Sequence, residues 1–475
     1  IRKGGNVMSF QDFKDQTTRA VVSKTIDGIL SYTNKNREAG LLKLTDISEK
    51  LMGDKFNKKV FDGARAMISD PDSKWMKYVN SLLDEIDPHV VKMHVLNAGY
   101  QAGFYGFSKT SEFAKEHGYR IPWIILMDPT SACNQHCKGC WSAEYGHKIS
   151  LSYEDLDSIV TQGEELGIFF YMMTGGEPLI RKADIIRLAE KHNRSFFYAF
   201  TNGTLVDDAF CKEMKRLGNI SLALSVEGFE EQNDFRRGEG CFNKVMKAMD
   251  LLKENGLVFG TSICYTALNY ETVTSDAFLD MLIEKGVRYC WYFHYMPVGN
   301  NASPDLLLNP EQREYMYHRI REIRAFKGGK PIFAFDFQND GEFVGGCIAG
   351  GRFYCHINPN GDVEPCVFIH YSNANIHDMS LLDALSQPLF KAYQKAQPFN
   401  ENHLRPCAML ENPEALVKIV DSVNAESTDL ESPESACHLC GKCESYAKNW
   451  APVAERLRKE NPKQKSKPKG QLPDA

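Results

Sequence analysis

Cys133-Asn-Gln-His-Cys137-Lys-Gly-Cys140 places three cysteines within eight residues, spaced C-x3-C-x2-C. Three thiolates are one fewer than a closed four-iron cluster takes. The iron left over would bind something other than protein, whereas a structural site closes every position. Zinc is the competing occupant. Its sites usually pair two short cysteine clips, and neither a second clip nor a histidine pair stands near this run.

The run follows an apolar stretch, residues 123–127, so it sits where a strand gives way to a loop. Five more such stretches follow at 168–173, 196–200, 220–226, 258–265 and 289–295. Helical stripes separate the later ones: Phe210, Met214 and Leu217, then Phe242, Val245, Met249 and Leu252. Gly218, Gly256 and Gly286 stand where those helices should stop. Six strands joined by helices pair in parallel through right-handed crossovers. The prediction is an α/β fold: a partial (β/α)6 TIM-like barrel over 121–300, with working residues at the carboxyl ends of its strands. The second of those ends reads Met173-Thr-Gly175-Gly176-Glu177-Pro178. Its glycines let a ligand approach the backbone, and Glu177 offers a carboxylate to an ammonium group. On the sixth strand Cys290, Tyr292, His294 and Met296 share one face by alternation. If that face points inward, His294 or Tyr292 touches substrate; otherwise His294 is a satisfied interior histidine.

Residues 8–120 read as an N-terminal helical domain. Ser9 and Asp12 look like a capping pair, and Ile26, Ile29 and Leu30 follow at helical spacing. Asp87-Pro88 breaks the pattern. The stretch 89–107, rich in Met, Tyr, Phe and Gly, is either a core helix or the wall of an apolar site. Residues 301–453 have fewer periodic segments and carry a second cysteine zone. Residues 454–475, Lys- and Pro-rich toward the end, read as a disordered tail.

A chain of 475 residues suffices for two or three domains with real cores. Its formal net charge of −6 argues against nucleic acid as the main partner. No apolar run is long enough for a transmembrane segment. Its 14 cysteines, without an export signal, point to a reducing cytoplasmic setting and to metal rather than disulfides. Cys211, Cys241, Cys264 and Cys290 are scattered and read as small buried apolar residues. The second zone holds Cys347, Cys355, Cys366, Cys407, Cys437, Cys440 and Cys443. Asn360-Gly361 is a hairpin turn signal, which brings Cys355 and Cys366 together. Cys437, Cys440 and Cys443 are spaced like part of a ferredoxin run without its closing Cys-Pro.

Together, the first cysteine run, the Gly-Gly-Glu-Pro turn and the strand pattern over 123–299 resemble the radical S-adenosylmethionine superfamily. The resemblance implies a 4Fe–4S cluster on Cys133, Cys137 and Cys140, its open iron chelated by the amino and carboxylate groups of S-adenosylmethionine. Gly175, Gly176 and Glu177 would receive the ammonium group. Ser225 matches the position that contacts ribose and carboxylate, and Glu227 follows on the same strand face. Arg237 resembles the arginine that pairs with the ligand carboxylate, and Asn202 shapes the pocket. Gly139 departs from the family, many of whose members carry an aromatic residue there against adenine; Trp141 is the nearest replacement. The implied reaction is reductive cleavage of S-adenosylmethionine to a 5′-deoxyadenosyl radical, which takes a hydrogen atom from substrate. A low-potential electron donor such as flavodoxin or ferredoxin and a low-oxygen setting are implied with it.

The second zone, with Gly361 and Cys366 in G-x4-C, resembles the SPASM extension of such enzymes. This implies one or two auxiliary 4Fe–4S clusters for electron transfer or substrate binding, with a zinc ribbon as the competing reading. Cys407 stands far upstream of the last three cysteines, so which thiols share a cluster stays open. Relatives with this extension often modify peptides, gripping a leader with a small mixed strand and helix module. A helical first domain points instead to a lipid-like or other small substrate. The alternative of another class is a non-catalytic Fe–S electron-transfer or redox-sensing protein, in which Glu177, Ser225 and Arg237 would have no purpose.

Overall fold

The six apolar stretches become strands β1 (Ile124–Met127), β2 (Phe170–Met173), β3 (Phe196–Thr201), β4 (Ile220–Ser225), β5 (Phe259–Tyr265) and β6 (Tyr289–His294). The computed structural model describes residues 10–33, 35–52 and 58–461. The capping pair Ser9 and Asp12 lies outside the described side chains, and 462–475 outside the described residues. Three more strands, β7 (Phe333–Asp336), β8 (Tyr354–Ile357) and β9 (Val363–Glu364), join the same sheet. Its order is β7-β6-β5-β4-β3-β2-β1-β8-β9, parallel throughout except for the β8–β9 hairpin. The sheet therefore runs past residue 300, and the second cysteine zone grows directly from the edge beside β1.

Capped helices make the crossovers. Ser152, Asp207 and Ser275 accept the first-turn N–H groups of helices Tyr153–Leu166, Asp208–Leu217 and Asp276–Glu284. Gly218 ends the second of these at φ +73°, a left-handed cap that costs glycine nothing.

Of the two faces of β6 that the sequence leaves open, the one carrying Trp291 and Phe293 looks inward. Cys290 and Tyr292 pack outward into the core between sheet and helices, while Trp291 and Phe293 face the barrel interior. Both faces of that strand are apolar, so alternation alone does not choose between them. Inside, Trp291 stacks on Phe335 at 4.6 Å and on Phe293 at 6.0 Å.

The stretch 89–107 forms helix Pro88–His94, then a π-helix Val95–Gly106. It packs across the amino ends of the strands. Asn97 Nδ2 donates to Asn193 O at 2.9 Å, Tyr105 meets Phe169, and Phe107 meets Trp123. A Cβ on Gly106 would lie 2.5 Å from Gly167 O, so the segment can approach the barrel only through a glycine. It thus closes the floor of the barrel, away from the strand ends that carry chemistry, and the apolar-site reading of this stretch is not supported. The tail expectation also changes: helix Glu444–Glu460 continues past residue 453 and buries Ala454 and Leu457 with Trp450. Among the described residues no helix is long and apolar enough to cross a membrane.

Candidate active site at the carboxyl ends of the strands

The cysteine loop leaves β1 and is tied down at several points. Gly176 N donates to Thr130 O at 2.9 Å and Glu177 N to Ala132 O at 2.8 Å. Lys138 N donates to Arg236 O at 2.9 Å, and Asn202 Nδ2 to Asn134 Oδ1 at 2.8 Å. The Gly-Gly-Glu turn is therefore the loop's own support. A Cβ on Gly176 would stand 2.1 Å from Ala132 O, and one on Gly175 2.5 Å from Thr130 O. The glycines admit neighbouring backbone, not only a ligand.

Cys133, Cys137 and Cys140 line one cavity of about 340 Å³ together with Gly175, Gly176, Glu177, Asn202, Ser225 and Arg237. All but one of the residues expected around S-adenosylmethionine are thus brought together. Among the described residues no three His, Cys, Asp or Glu converge closely enough to hold a single ion. Burial pushes the Cys133 thiol up to about 11, so cluster binding displaces its proton. The chemistry of the donor set fits a four-iron cluster with an exchangeable site. Arg237 Nη1 lies 3.8 Å from Cys137 Sγ, placing a cation beside the thiolate set. Two buried polar atoms of cavity residues, Arg236 Nε and Tyr295 OH, have no partner among the described residues. A polar ligand would satisfy them.

Glu177 accepts from Thr201 Oγ1 at 2.6 Å, Asn202 N at 2.8 Å and Leu179 N at 2.9 Å. Burial raises its pKa, and these donors oppose the shift. Glu227 is the exception among the expected ligands. It is 0% exposed and does not line the cavity. It accepts from Arg236 Nη1 and Arg237 Nε, each at 2.9 Å, and from Cys264 N at 2.9 Å. Its work is to hold both arginines at the rim. Tyr295, not Trp141, stands against Gly139: a Cβ there would be 2.7 Å from Tyr295 Cε2. Trp141 instead meets His356, Phe368 and His370 edge-on. His294 is satisfied, with Nδ1 2.7 Å from Tyr295 O and Nε2 3.1 Å from Tyr446 OH. Burial and Arg313 lower its pKa to about 3, leaving it neutral.

The auxiliary cysteines fall into two sets. Cys347, Cys366 and Cys407 face one another electrostatically around two tyrosines. Tyr354 OH donates to Cys366 Sγ at 2.7 Å, Tyr393 OH lies 3.5 Å from Cys347 Sγ, and Leu410 N donates to Cys407 Sγ at 3.3 Å. Such donors tune a cluster through its sulfurs. Cys437, Cys440 and Cys443 form the other set. Cys355 belongs to neither. The β8–β9 register pairs His356 with Glu364, so Tyr354, not Cys355, meets Cys366 across the hairpin. Cys355 points to the other face and is buried at 0% exposure among Ile125 and Ile357. The expected pairing of Cys355 with Cys366 is corrected by that one-residue offset.

A buried polar network joins the two cysteine regions. His356 Nε2 lies 3.1 Å from Asp128 Oδ1, and Nδ1 lies 2.6 Å from Glu364 Oε2. Tyr145 OH donates to Glu364 at 2.9 Å, and His370 Nδ1 lies 2.6 Å from Asp429 Oδ1. Burial disfavours the imidazolium of His356, but Asp128 and Glu364 outweigh it and raise the pKa to about 10. Nothing in the sequence pattern announced these partners. Arg236 was next to a candidate, and Tyr295 follows Trp291 and Phe293 by alternation once the inward face is known.

Parallel strands with an open-ended thiolate site at their carboxyl ends define a cluster-dependent enzyme of the half-barrel type. Comparison with known proteins names the family. The model described as the radical SAM superfamily matches residues 127–282, and one described as an iron–sulfur cluster-binding domain, SPASM, matches 347–409. The chain thus carries a radical SAM domain followed by a SPASM domain, and the relatives it resembles are radical SAM enzymes and not electron carriers. It is 25% identical over 285 residues to an AdoMet-dependent heme synthase of Oleidesulfovibrio alaskensis, covering 54% of this chain and 72% of that one. It is 26% identical over 302 residues to the mycofactocin maturase MftC of Mycolicibacterium smegmatis, covering 60% and 74%. The fold is shared with Streptococcus suis SuiB bound to S-adenosylmethionine, at TM-score 0.53 and 18% identity over 73% of this chain and 83% of that one.

Proposed function

We propose that the chain abstracts a hydrogen atom from one apolar side chain of a peptide. The observation that carries this reading is the cavity. Its wall is aromatic, formed by Phe200, Trp291, Phe293, Phe337 and Phe368. Its volume of about 340 Å³ is near the low end of the roughly 300–1,000 Å³ that drug-sized ligands occupy. An aromatic wall of this kind suits an apolar side chain. The names of the maturase relative and of SuiB bound to its precursor peptide favour the same class.

Cys133, Cys137 and Cys140 would hold a 4Fe–4S cluster, which would supply the electron for reductive cleavage of S-adenosylmethionine. The chain's residues do the holding. Gly175, Gly176 and Glu177 take the ammonium group, Arg237 the carboxylate, and Ser225 the ribose side, while Asn202 fixes the loop beneath. The aromatic wall excludes water from the reacting atoms. Cys347, Cys366 and Cys407 hold one auxiliary cluster, and Cys437, Cys440 and Cys443 a second. A low-potential donor such as flavodoxin or ferredoxin provides the electron, in a low-oxygen setting.

The test is anaerobic turnover with dithionite, S-adenosylmethionine and a library of synthetic peptides whose aromatic and aliphatic residues are deuterated. Deuterium in 5′-deoxyadenosine supports the reading. A second reading, an iron porphyrin, is favoured by the heme synthase relative. Label arriving only from a deuterated porphyrin overturns the peptide reading.

A further inference from the structure

Strands β5 and β6 bring a thiol and a phenol into the cavity that the cofactor cradle does not use. The strands run parallel with Cys264 opposite Phe293 and Tyr265 opposite His294, and Tyr295 N donates to Tyr265 O at 3.0 Å. By alternation Cys264 shares the inward face with Ser262, and Tyr295 with Trp291 and Phe293. All five line the cavity that also holds Cys133, Cys137 and Cys140. Tyr295 is 1% exposed, and its hydroxyl has no partner among the described residues. The other scattered cysteines are placed differently. Cys211 and Cys290 lie in the outer core, and Cys241 Sγ accepts from Gln135 Nε2 at 3.2 Å. Of the four, Cys264 alone lines the cavity.

We infer that Cys264 is a hydrogen-atom donor to a carbon-centred radical formed in this cavity, with the Tyr295 hydroxyl positioning the group that lies before it. The inference rests on the radical reading above and deepens it. A thiol S–H bond is weaker than an aliphatic C–H bond, so transfer to carbon runs downhill. The new C–H bond forms as the S–H bond breaks homolytically, leaving a thiyl on Cys264. One electron from a low-potential one-electron donor and one solvent proton restore the thiol. Burial keeps the sulfur protonated, with its pKa near 11, so the hydrogen atom is present at neutral pH. A substrate treated this way exchanges a hydrogen and keeps its oxidation level.

Two measurements on the full chain test this. In the anaerobic protein without added cluster, methyl methanethiosulfonate at pH 10, where the cavity thiol Cys264 forms thiolate more readily than the core thiol Cys290, should modify Cys264 first, as read by peptide mass; a Cys264 as inert as Cys290 at that pH overturns the inference. In D2O, the reconstituted chain with dithionite and S-adenosylmethionine but no substrate should yield 5′-deoxyadenosine carrying one solvent deuterium. Cys264→Ala and Cys264→Ser should each cut that label at least tenfold at unchanged iron content. Unlabelled product from the native chain, or full label from either variant, refutes the donor role while leaving the radical reading standing. Absence of 5′-deoxyadenosine from every chain refutes both.

Discussion

Gly176→Ala is the substitution that most sharply separates a backbone crossing from a ligand cradle. The new Cβ would lie 2.1 Å from Ala132 O and 2.4 Å from Ser131 O, about 1.3 Å short of an ordinary 3.4 Å contact with the first. Neither carbonyl belongs to a flexible side chain. Moving Ala132 away breaks its bond with Glu177 N, and moving the turn breaks Gly176 N to Thr130 O. Each buried backbone group left unpaired costs about 1–3 kcal/mol, and overpacking adds roughly 1–3 kcal/mol. The strain, on the order of 2–6 kcal/mol, falls on the segment that leads directly into Cys133. Because 1.4 kcal/mol is about tenfold, the loop should lose at least about 25-fold in cluster affinity. Iron and sulfide counts after anaerobic reconstitution should fall by about one four-iron cluster, with the auxiliary irons retained and 5′-deoxyadenosine formation lost. Gly63→Ala, in helix Lys58–Ile68 with nothing within 4 Å, is the control and should be neutral or stabilising. If Gly176→Ala holds its full iron and cleaves S-adenosylmethionine within twofold of the native chain, the crossing argument is wrong.

Three further outcomes follow from the same geometry. Cys366→Ala should lose auxiliary iron, whereas Cys355→Ala should keep every iron and lose only roughly 1 kcal/mol of stability; iron counts of the two variants decide between a ligand and a core thiol. Glu227→Gln removes the carboxylate shared by Arg236 and Arg237. Breaking such a buried pair costs about 3–5 kcal/mol, so S-adenosylmethionine affinity by calorimetry should drop more than tenfold, and unchanged affinity would show the arginines are held otherwise. His356 carries a folded pKa of about 10 against 6.5 for an ordinary histidine. Its contribution is therefore complete below pH 6.5 and is lost as pH rises toward 10. The native chain should lose thermal stability between pH 7 and 9.5 more steeply than His356→Gln, and parallel curves would refute a buried imidazolium.

What could be read from the sequence divides along a physical line. The strands were legible because each is a short apolar stretch bounded by turn residues, and the cysteine loop because its ligands are neighbours in the chain. Signals of that kind are local. Which face of β6 looks inward was not legible, since Trp291 and Phe293 are as apolar as Cys290 and Tyr292. Nor was the role of Cys355, because one residue of register separates a cluster ligand from a core thiol, and Asn360-Gly361 fixes the turn without fixing the offset. The His356 network was hidden for a different reason. Asp128, Glu364 and Asp429 each look like ordinary surface carboxylates, and only the β1–β8 pairing, which joins residues far apart in sequence, brings Asp128 to His356. A buried charge set of this kind rarely adds net stability over apolar packing. Its value here is geometric. Asp128 precedes the primary cysteine loop, and Glu364 precedes Cys366 by two residues, so one imidazolium fixes both cysteine regions against a single point. Tying both regions to one imidazolium holds their separation constant, because a dry ion pair resists sliding in a way that an apolar contact does not.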